Sequence, residues 1–333
     1  MTTLRKPRNL TDLARQMNVT AATVSLALRN SPLLSAEVRE KIQRTAAELE
    51  FSPRSYTRRT KSNRVKEKTG LGPVMLLLDD HGEEDPVRDG IMPVVSQNLS
   101  RYGIEHQYIN QSRLRENPEL LKEFKGIVFC NDLKGILLPE NYPGIQVFGW
   151  EARGSALDRI TTNDDEIVSL AVEYLCRAGV KRAVIIWQRN MVQIPRHPRI
   201  ACFLERMNEL GIQAAPMPFD REEPDFSGRM KELISSGDER IGFFGFNALC
   251  GVKLCCALES LGLLRKYSPH SVLVCDKSLL LNGFFPRPAM IDLNLPAMAE
   301  RAVNLLIGRL GKPEYPGILM LQSPRLLLSQ EQL

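Results

Sequence analysis

The chain has 333 residues, of which 43% are hydrophobic and 25% charged, a composition typical of soluble globular proteins, and its length predicts two or three domains. The formal net charge of +5 is unevenly distributed: residues 1–70 contain 15 Lys or Arg and 6 Asp or Glu, a net charge of +9, so the remainder carries −4. A basic amino-terminal part on a mildly acidic body is typical of a polyanion-binding module attached to another domain.

The sequence argues against several classes of protein. No apolar run approaches the roughly 20 residues that a membrane span requires, and MTTLRKPRNL lacks the apolar core of a signal peptide. The seven cysteines form no C-x-x-C pairs, which favours buried free thiols, Cys255 and Cys256 included, in a reducing cytoplasm. The four histidines are isolated, so we expect no metal site. Phosphate-binding loops, dinucleotide fingerprints and hydrolase motifs are also missing, and we expect no cofactor and no enzymatic activity.

The stretch from Asn9 to Arg59 contains three short helical patterns, and only a tight turn separates the first two. The first pattern runs from Asp12 to Met17 and the second from Ala21 to Leu28. Asn18 tolerates the left-handed backbone of the turn, and the hydroxyl of Thr20 can cap the second helix. Two helices joined in this way form a helix-turn-helix unit, whose second helix lies in the DNA major groove.

The second helix is predicted to bury Val24 and to present small or polar side chains outward. Small side chains allow close approach to base edges, hydroxyl groups bond phosphates or bases, and apolar atoms touch thymine methyl groups. The DNA contacts predicted here are Thr20, Ala21, Ala22, Thr23, Ser25, Leu26 and Arg29. A third helix, capped by Ser35, carries an apolar face that closes a small core and consists of Val38, Ile42, Ala46 and Leu49. Any three amphipathic helices share this spacing, so spacing alone leaves DNA binding open.

The residues themselves are more specific. D-L-A, V-T-x-x-T-V-S, S-x-x-x-R-E-K-I and F-S-P, in this order and spacing, resemble the amino-terminal domain of the LacI family of transcription regulators. The resemblance implies a sequence-specific regulator, most often a repressor, that acts as a homodimer. Two heads on a two-fold axis predict a pseudo-palindromic operator in double-stranded DNA.

The resemblance also implies a hinge helix over residues 53–60, which enters the minor groove of the operator and adds Arg54, Thr57, Arg58 and Thr60 to the DNA contacts. Thr60 stands where the family has a leucine that wedges between bases, so we expect a weaker kink or none. Leu26 stands where an arginine is common. The predicted domains are 1–60 for DNA binding with the hinge, 61–72 for a basic linker, and 73–333 for effector binding and dimerisation.

The body alternates apolar strand patterns with amphipathic helices, which predicts parallel sheets covered by helices. Strands are expected at 74–78, 105–110, 126–130, 145–150, 183–187, 241–246, 272–275 and 318–321, and helices at 91–102, 117–124, 164–178, 198–210, 226–236, 251–261 and 296–310. About 260 residues exceed one comfortable core and predict two similar subdomains. The fold class is therefore a small all-α helix-turn-helix head followed by an α/β domain of two parallel-sheet subdomains. That domain resembles the family's periplasmic-binding-protein-like effector domain.

Ligands of such sheets bind beyond the carboxyl ends of the strands, so we expect a ligand site there. The stretch ITTNDDEIVSLAVEYLCRAGVKRAVII, R-I-A-C-F, and the region after LVCDK are similar to family patterns. They imply that Arg199 bonds effector hydroxyls or a carboxylate and that Asp276 bonds sugar hydroxyls. Trp187 could stack on a sugar, and Asn247 stands one position from a customary amide. These patterns predict a small-molecule effector, a sugar or related metabolite.

Departures from the family pattern leave alternatives open. The amide-carboxylate pair expected near residue 245 is absent, and the loop after the first strand, DDHGEEDPVRDG, is acidic. The effector is therefore unusual, or its binding has been lost. The alternatives to an effector-controlled regulator are a small-molecule-binding protein with a vestigial head and a ligand-independent regulator whose body only dimerises.

Overall fold

The computed structural model describes residues 7, 10–17, 19–28, 36–49, 70–80, 86–130, 133, 135–148, 157–189, 197–220, 222–235 and 240–329. The chain divides into two compact units, Met1–Lys66 and Glu67–Leu333. Among the described residues, no helix is long and apolar enough to span a bilayer, and no three His, Cys, Asp or Glu side chains form a metal-binding group.

The first unit contains three helices, α1 (Leu10–Gln16), α2 (Ala21–Leu28) and α3 (Ala36–Glu48). Their shared core is small and consists of Leu13, Ala14, Val24, Ala27, Ile42 and Ala46, with Met17, Val19, Leu28 and Leu49 packed against it. The prediction that Val38 belongs to this core is wrong, because its side chain is 38% exposed. The first helix also begins at Leu10 and not at Asp12.

In chain order, the second unit contains β1 (Val74–Leu78), α4 (Pro86–Arg101), β2 (His106–Asn110), α5 (Gln111–Glu116), β3 (Gly126–Cys130), β4 (Gly144–Val147), β5 (Asp158–Thr162), α6 (Asp164–Arg177), β6 (Arg182–Gln188), α7 (Pro198–Glu209), β7 (Gln213–Phe219), α8 (Phe226–Ser235), β8 (Ile241–Gly245), α9 (Ala248–Ser260), α10 (Leu264–Ser271), β9 (Val272–Cys275), β10 (Ala289–Asp292), α11 (Leu295–Gly311), β11 (Leu319–Gln322) and β12 (Arg325–Leu327). Short 3-10 turns cover Pro118–Glu123 and Leu279–Gly283.

The strands form two six-stranded sheets. Sheet one has the order β2-β1-β3-β4-β5-β11 and is parallel throughout. Sheet two has the order β7-β6-β8-β9-β10-β12 and is parallel except for the β10–β12 pair. This arrangement confirms the predicted fold of two mainly parallel sheets.

Each sheet separates two apolar cores, because successive side chains of a strand point to opposite faces. On β1, Val74 and Leu76 pack with α4 and α11, while Met75 and Leu77 face α5 and the first 3-10 turn. On sheet two, one face packs against α6 and α7 and the other against α8, α9 and α10. Burial on both faces explains why β1 is a continuous apolar run.

The chain passes between the two subdomains three times, after β5, after β10 and after β11. Hydrogen bonds join these crossings to one another. The main-chain nitrogen of Asn163 donates to the main-chain oxygen of Gln322 at 3.1 Å, and Nη1 of Arg301 donates to Oε1 of Gln322 at 2.5 Å. Nη2 of Arg325 donates to Oδ2 of Asp292 at 2.9 Å. These bonds link the three crossings to one another.

The sequence patterns did not predict four of the observed strands (β5, β7, β10 and β12) or two short helices (α5 and α10). The helix expected at 117–124 is instead the 3-10 turn Pro118–Glu123. Cys130, Cys250, Cys255 and Cys275 are buried, as expected. Cys176 and Cys202 are only half-buried, and Cys256 is exposed and does not belong to an inert core. β4 ends at Val147, earlier than predicted, and residues 149 and 150 lie outside the described part of the chain.

Candidate functional site

The start of α2 is fixed by a threonine cap. The main-chain nitrogen of Thr23 donates to Oγ1 of Thr20 at 3.1 Å, and the two threonine hydroxyls are 2.8 Å apart. A cap of this kind satisfies a main-chain donor that the first helical turn leaves free. The predicted cap is confirmed, and exposed Thr20 therefore offers DNA only the remaining capacity of its hydroxyl.

The packing of α2 determines which of its faces is turned inward. Val24 and Ala27 are completely buried, as expected for Val24. The nitrogen of Val19 donates to the main-chain oxygen of Ala14 at 3.0 Å, so the turn is closed against α1. At the other end, Nε2 of Gln43 on α3 donates to the main-chain oxygen of Ala27 at 2.8 Å. The sequence analysis did not predict this hydrogen bond of Gln43, because its partner lies 16 residues away.

Other predicted DNA contacts lie outside what the structure describes. This holds for the side chains of Ala21, Ala22, Ser25 and Leu26, whose backbone belongs to α2, and for all of Arg29. The hinge residues Arg54, Thr57, Arg58 and Thr60, and the linker from residue 61 to residue 69, also lie outside it. These assignments stay predictions.

In the second unit, Arg199 lies in the first turn of α7 and is only 7% exposed. Nε and Nη2 donate to Oδ1 of Asp164 at 3.0 and 2.7 Å, and Nη1 donates to the main-chain oxygen of Phe246 at 2.7 Å. Burial opposes the charge of the guanidinium, but the carboxylates of Asp164 and Asp276 outweigh it and raise the pKa of Arg199. Arg199 thus joins the beginnings of α6 and α7 to the connection between β8 and α9.

Two rings lie against this arginine. The guanidinium carbon of Arg199 is 4.5 Å from the centroid of the Phe246 ring, within the range of a cation–π contact. The ring of His197 meets the ring of Phe246 at 4.9 Å and 86°. Burial and the charge of Arg199 lower the pKa of His197 to about 4. Its Nδ1 accepts a hydrogen bond from the main-chain nitrogen of Arg199, which suits a neutral imidazole.

The predicted effector residues differ in their surroundings. Asp276 is 5% exposed, has a left-handed φ of 74°, and accepts a hydrogen bond from Sγ of Cys275. Burial raises the pKa of the Cys275 thiol, which stays protonated and able to donate. Asn247 caps α9, since its Oδ1 accepts from the main-chain nitrogen of Cys250 at 3.0 Å. Trp187 is half-buried near the end of β6, and its indole packs against both cores of sheet two.

The cluster around Arg199 therefore includes two residues that the sequence analysis did not place among the effector contacts. Phe246 and Asp164 occupy most of the donors of the guanidinium. A signal existed for Asp164, because three acidic residues begin α6, but acidic residues at a helix start are also expected from the helix dipole alone.

A family model described as "Bacterial regulatory proteins, lacI family" matches residues 9–54, which include all three helices of the first unit. The amino-terminal domain of the chain is therefore a LacI-family helix-turn-helix domain. The chain is a DNA-binding transcriptional regulator, and the resemblance found in its amino-terminal sequence is confirmed.

Relatives of this protein match it over most of its length. The transcriptional repressor PurR of Escherichia coli O139:H28 is 24% identical over 326 residues, which cover 92% of this chain and 91% of PurR. Among solved structures, the CelR–cellobiose complex superposes with a TM-score of 0.63 at 17% identity, over 97% of this chain and 99% of the other. A Lac repressor dimer bound to operator and an anti-inducer gives a TM-score of 0.63 at 15% identity, over 98% and 100%. At these identities the structural likeness establishes the fold.

Proposed function

We propose that the protein is a cytoplasmic transcriptional repressor that binds a pseudo-palindromic operator as a homodimer and is controlled by a small metabolite, such as a sugar. The names of its relatives support repression, operator binding as a dimer and a small-molecule ligand. PurR is a repressor, the Lac repressor was solved as a dimer on its operator, and CelR was solved with cellobiose. We infer no enzymatic role from these relatives.

The single observation that supports DNA binding most strongly is the α1–α2 unit. Thr20 caps α2, Val24 and Ala27 turn one face into the core, and α3 holds the end of the helix through Gln43. We assign the opposite face of α2 to the major groove. The lacI family model matches this same part of the chain.

Dimerisation is supported by exposed apolar side chains between β9 and β10. Leu279 is 85% exposed, Leu280 55% and Phe285 69%. Apolar and aromatic side chains that are grouped on a surface are typical of protein interfaces. We assign this group to the contact between two copies of the second unit.

We infer control by an effector from the three crossings between the subdomains. A ligand at the carboxyl ends of the strands contacts elements that precede and follow the three crossings, and it shifts the population of two subdomain arrangements if it binds one of them more tightly. Such a shift alters the spacing of the two heads and hence operator affinity.

The test is selection of bound DNA from a randomised library by the full-length protein, followed by anisotropy titrations of the selected sites at several salt concentrations. We expect a pseudo-palindrome that is bound at least about 1,000-fold more tightly than random DNA, the lower end of the usual specificity ratio. Equal affinity for selected and random DNA at every salt concentration would refute the proposal. Analytical ultracentrifugation of the Leu279→Ser/Phe285→Ser variant tests the dimer surface, and unchanged dimerisation would rule it out.

A second candidate function is ligand-independent repression. It is favoured by the partners of Arg199, which are Asp164 and Phe246 of the protein itself. In that case the second unit only dimerises. Operator affinity would then be unaffected by every metabolite that is added, whereas the effector-controlled regulator requires at least one that changes it.

A further inference from the structure

The guanidinium of Arg199 is committed to groups of the protein. Two of its nitrogens donate to one carboxylate oxygen of Asp164, and a third donates to the main chain of Phe246. The side chain of Arg199 is 8% exposed and that of Asp164 is 23% exposed. Three of the five N–H groups are thus used, and an anion that took the place of Asp164 would break a paired, largely buried contact, which is costly. The arrangement therefore disfavours recognition of an anion by Arg199.

Phe246 lies beside Trp187 at the carboxyl ends of neighbouring strands. The main-chain nitrogen of Phe246 donates to the oxygen of Ile186 at 2.9 Å, and Trp187 is the next residue along β6. Both rings are half-buried, and both pack against the same two cores. Half-buried aromatic rings at this end of a parallel sheet provide flat apolar surface where ligands of such folds bind.

We propose that Phe246 is the specificity-determining residue of the effector site and that Arg199 is a positioning residue that holds it. The effector then has a flat, uncharged face, as in a nucleoside or in an unphosphorylated sugar. This inference rests on the proposed function, because it requires that the carboxyl ends of sheet two receive an effector.

The charges near Phe246 support the same conclusion. Arg199 is paired with Asp164, and the carboxylate of Asp276 adds a second negative charge in its surroundings. His197, which contacts the Phe246 ring, is neutral near pH 7, because its pKa lies at about 4. The described side chains around the ring thus carry one positive and two negative charges, and an anionic ligand would meet net repulsion.

The first experiment uses the full-length protein with Trp150→Phe, which leaves Trp187 as the sole tryptophan. Its fluorescence is titrated with adenosine, uridine, glucose and ribose, and with the four corresponding monophosphates, and calorimetry checks each affinity. We expect at least one uncharged compound to bind and to change the emission of Trp187, and its phosphate to bind at least tenfold more weakly. The nucleoside and sugar arms distinguish the two sources of a flat face. A phosphate that binds equally well or more tightly overturns the inference, and so does the absence of binding by all uncharged compounds.

The second experiment compares variants with the ligand found in the first. Phe246→Ala should lower affinity at least tenfold, while Phe246→Tyr, which keeps the ring, should stay within threefold. Tyr315→Ala removes a 53% exposed ring from the other subdomain and serves as the matched control, with unchanged affinity expected. Equal affinities of the wild type and Phe246→Ala would overturn the role of Phe246.

Arg199→Lys tests positioning. A lysine cannot reach Asp164 and the main chain of Phe246 with the same fork, so the affinity for the uncharged ligand should fall about as far as in Phe246→Ala. The ligand-free emission of Trp187 should also shift, because the neighbouring ring is no longer held. Weaker binding with unchanged Trp187 emission would identify Arg199 as a direct ligand contact and overturn its positioning role.

Operator binding is measured on the same preparations, so that the two proposals can fail separately. Intact operator selectivity without any ligand binding overturns this inference and leaves the DNA-binding function in place. Ligand binding that meets the criteria above without operator selectivity supports this inference and contradicts the proposed repressor.

Discussion

The side-chain amide of Gln43 on α3 donates a 2.8 Å hydrogen bond to the main-chain oxygen of Ala27, in the last turn of α2. Carbonyl groups in the last turn of a helix have no partner within the helix, so this bond supplies one from another element. It also fixes the end of the proposed recognition helix against the core of the first unit.

Replacement of Gln43 should therefore weaken both the fold of the first unit and its affinity for the operator. Gln43→Ala removes one hydrogen bond to the main chain, which typically contributes about 1 kcal/mol, or about fivefold in an equilibrium constant. Urea unfolding and anisotropy titration measure the two effects. Gln97→Ala, on an exposed position of α4, is the control and should change neither quantity.

The predicted hinge residue Arg58 should contribute to DNA binding mainly through charge. Arg58→Ala should weaken binding to all DNA sequences and reduce the slope of log affinity against log salt by about 1, because one fewer counterion is released. Titrations at four salt concentrations give the slope. Arg177→Ala removes an exposed arginine of α6 and should leave the slope unchanged. An Arg58→Ala slope equal to that of the wild type would remove this residue from the interface.

The ion pair between Arg309 and Asp158 should be essential for the stability of the second unit. Their side chains are 4% and 3% exposed, Nε of Arg309 donates to Oδ2 of Asp158 at 2.9 Å, and Oδ1 accepts from the nitrogen of Ile318 at 2.8 Å. Arg309→Met leaves a buried carboxylate unpaired and should cost about 3–5 kcal/mol in the free energy of unfolding.

Urea unfolding of Arg309→Met measures this cost. The exposed Lys122–Glu119 pair provides the comparison, since Lys122→Ala should change stability by less than about 1 kcal/mol. Similar losses in the two variants would show that burial does not determine the importance of the Arg309 pair.

The lowered pKa of His197 predicts a loss of stability in acid. Burial and the charge of Arg199 reduce this pKa from 6.5 to about 4, so the unfolded chain takes up the proton first. The contribution is fully favourable above pH 6.5 and is lost progressively as the pH falls from 6.5 towards 4. His197→Asn, which retains an acceptor at this cap, should show a smaller loss between pH 7 and pH 5.

Unfolding free energies at these two pH values provide the measurement. His270→Asn alters an exposed histidine at the end of α10 and should keep the pH dependence of the wild type. If His197→Asn lost as much stability as the wild type between pH 7 and pH 5, His197 would not be the group responsible.

Elements with a strong local pattern could be predicted from the sequence. The bounds of α2, β1, β3 and β9 agree with those expected, because a cap or a continuous apolar run marks each of them. β7 was missed because it contains Pro216 and Pro218, which argue against a central strand. The two prolines are tolerated because β7 lies at the edge of sheet two. β12 has only three residues, too few for a periodic pattern.

The environment of the candidate effector site could be predicted only in part. Arg199 and Asp276 were identified through the family pattern, but the pattern says nothing about which groups of the protein occupy the guanidinium. Asp164 lies 35 residues before Arg199, and Phe246 lies 47 residues after it. Their meeting depends on how three helices begin at one end of sheet two, which is a tertiary property and leaves no periodic trace in the sequence.

The hydrogen bonds of Gln322 limit how the two subdomains can move relative to one another. It is 4% exposed, and through its main chain and its side chain it bonds to elements of the other two crossings. A pivoting motion can keep these bonds only if its axis passes close to them. If sheet one moves relative to sheet two while these bonds are kept, the motion is therefore a swing about Gln322, with the largest displacement at the points of the subdomain farthest from that residue.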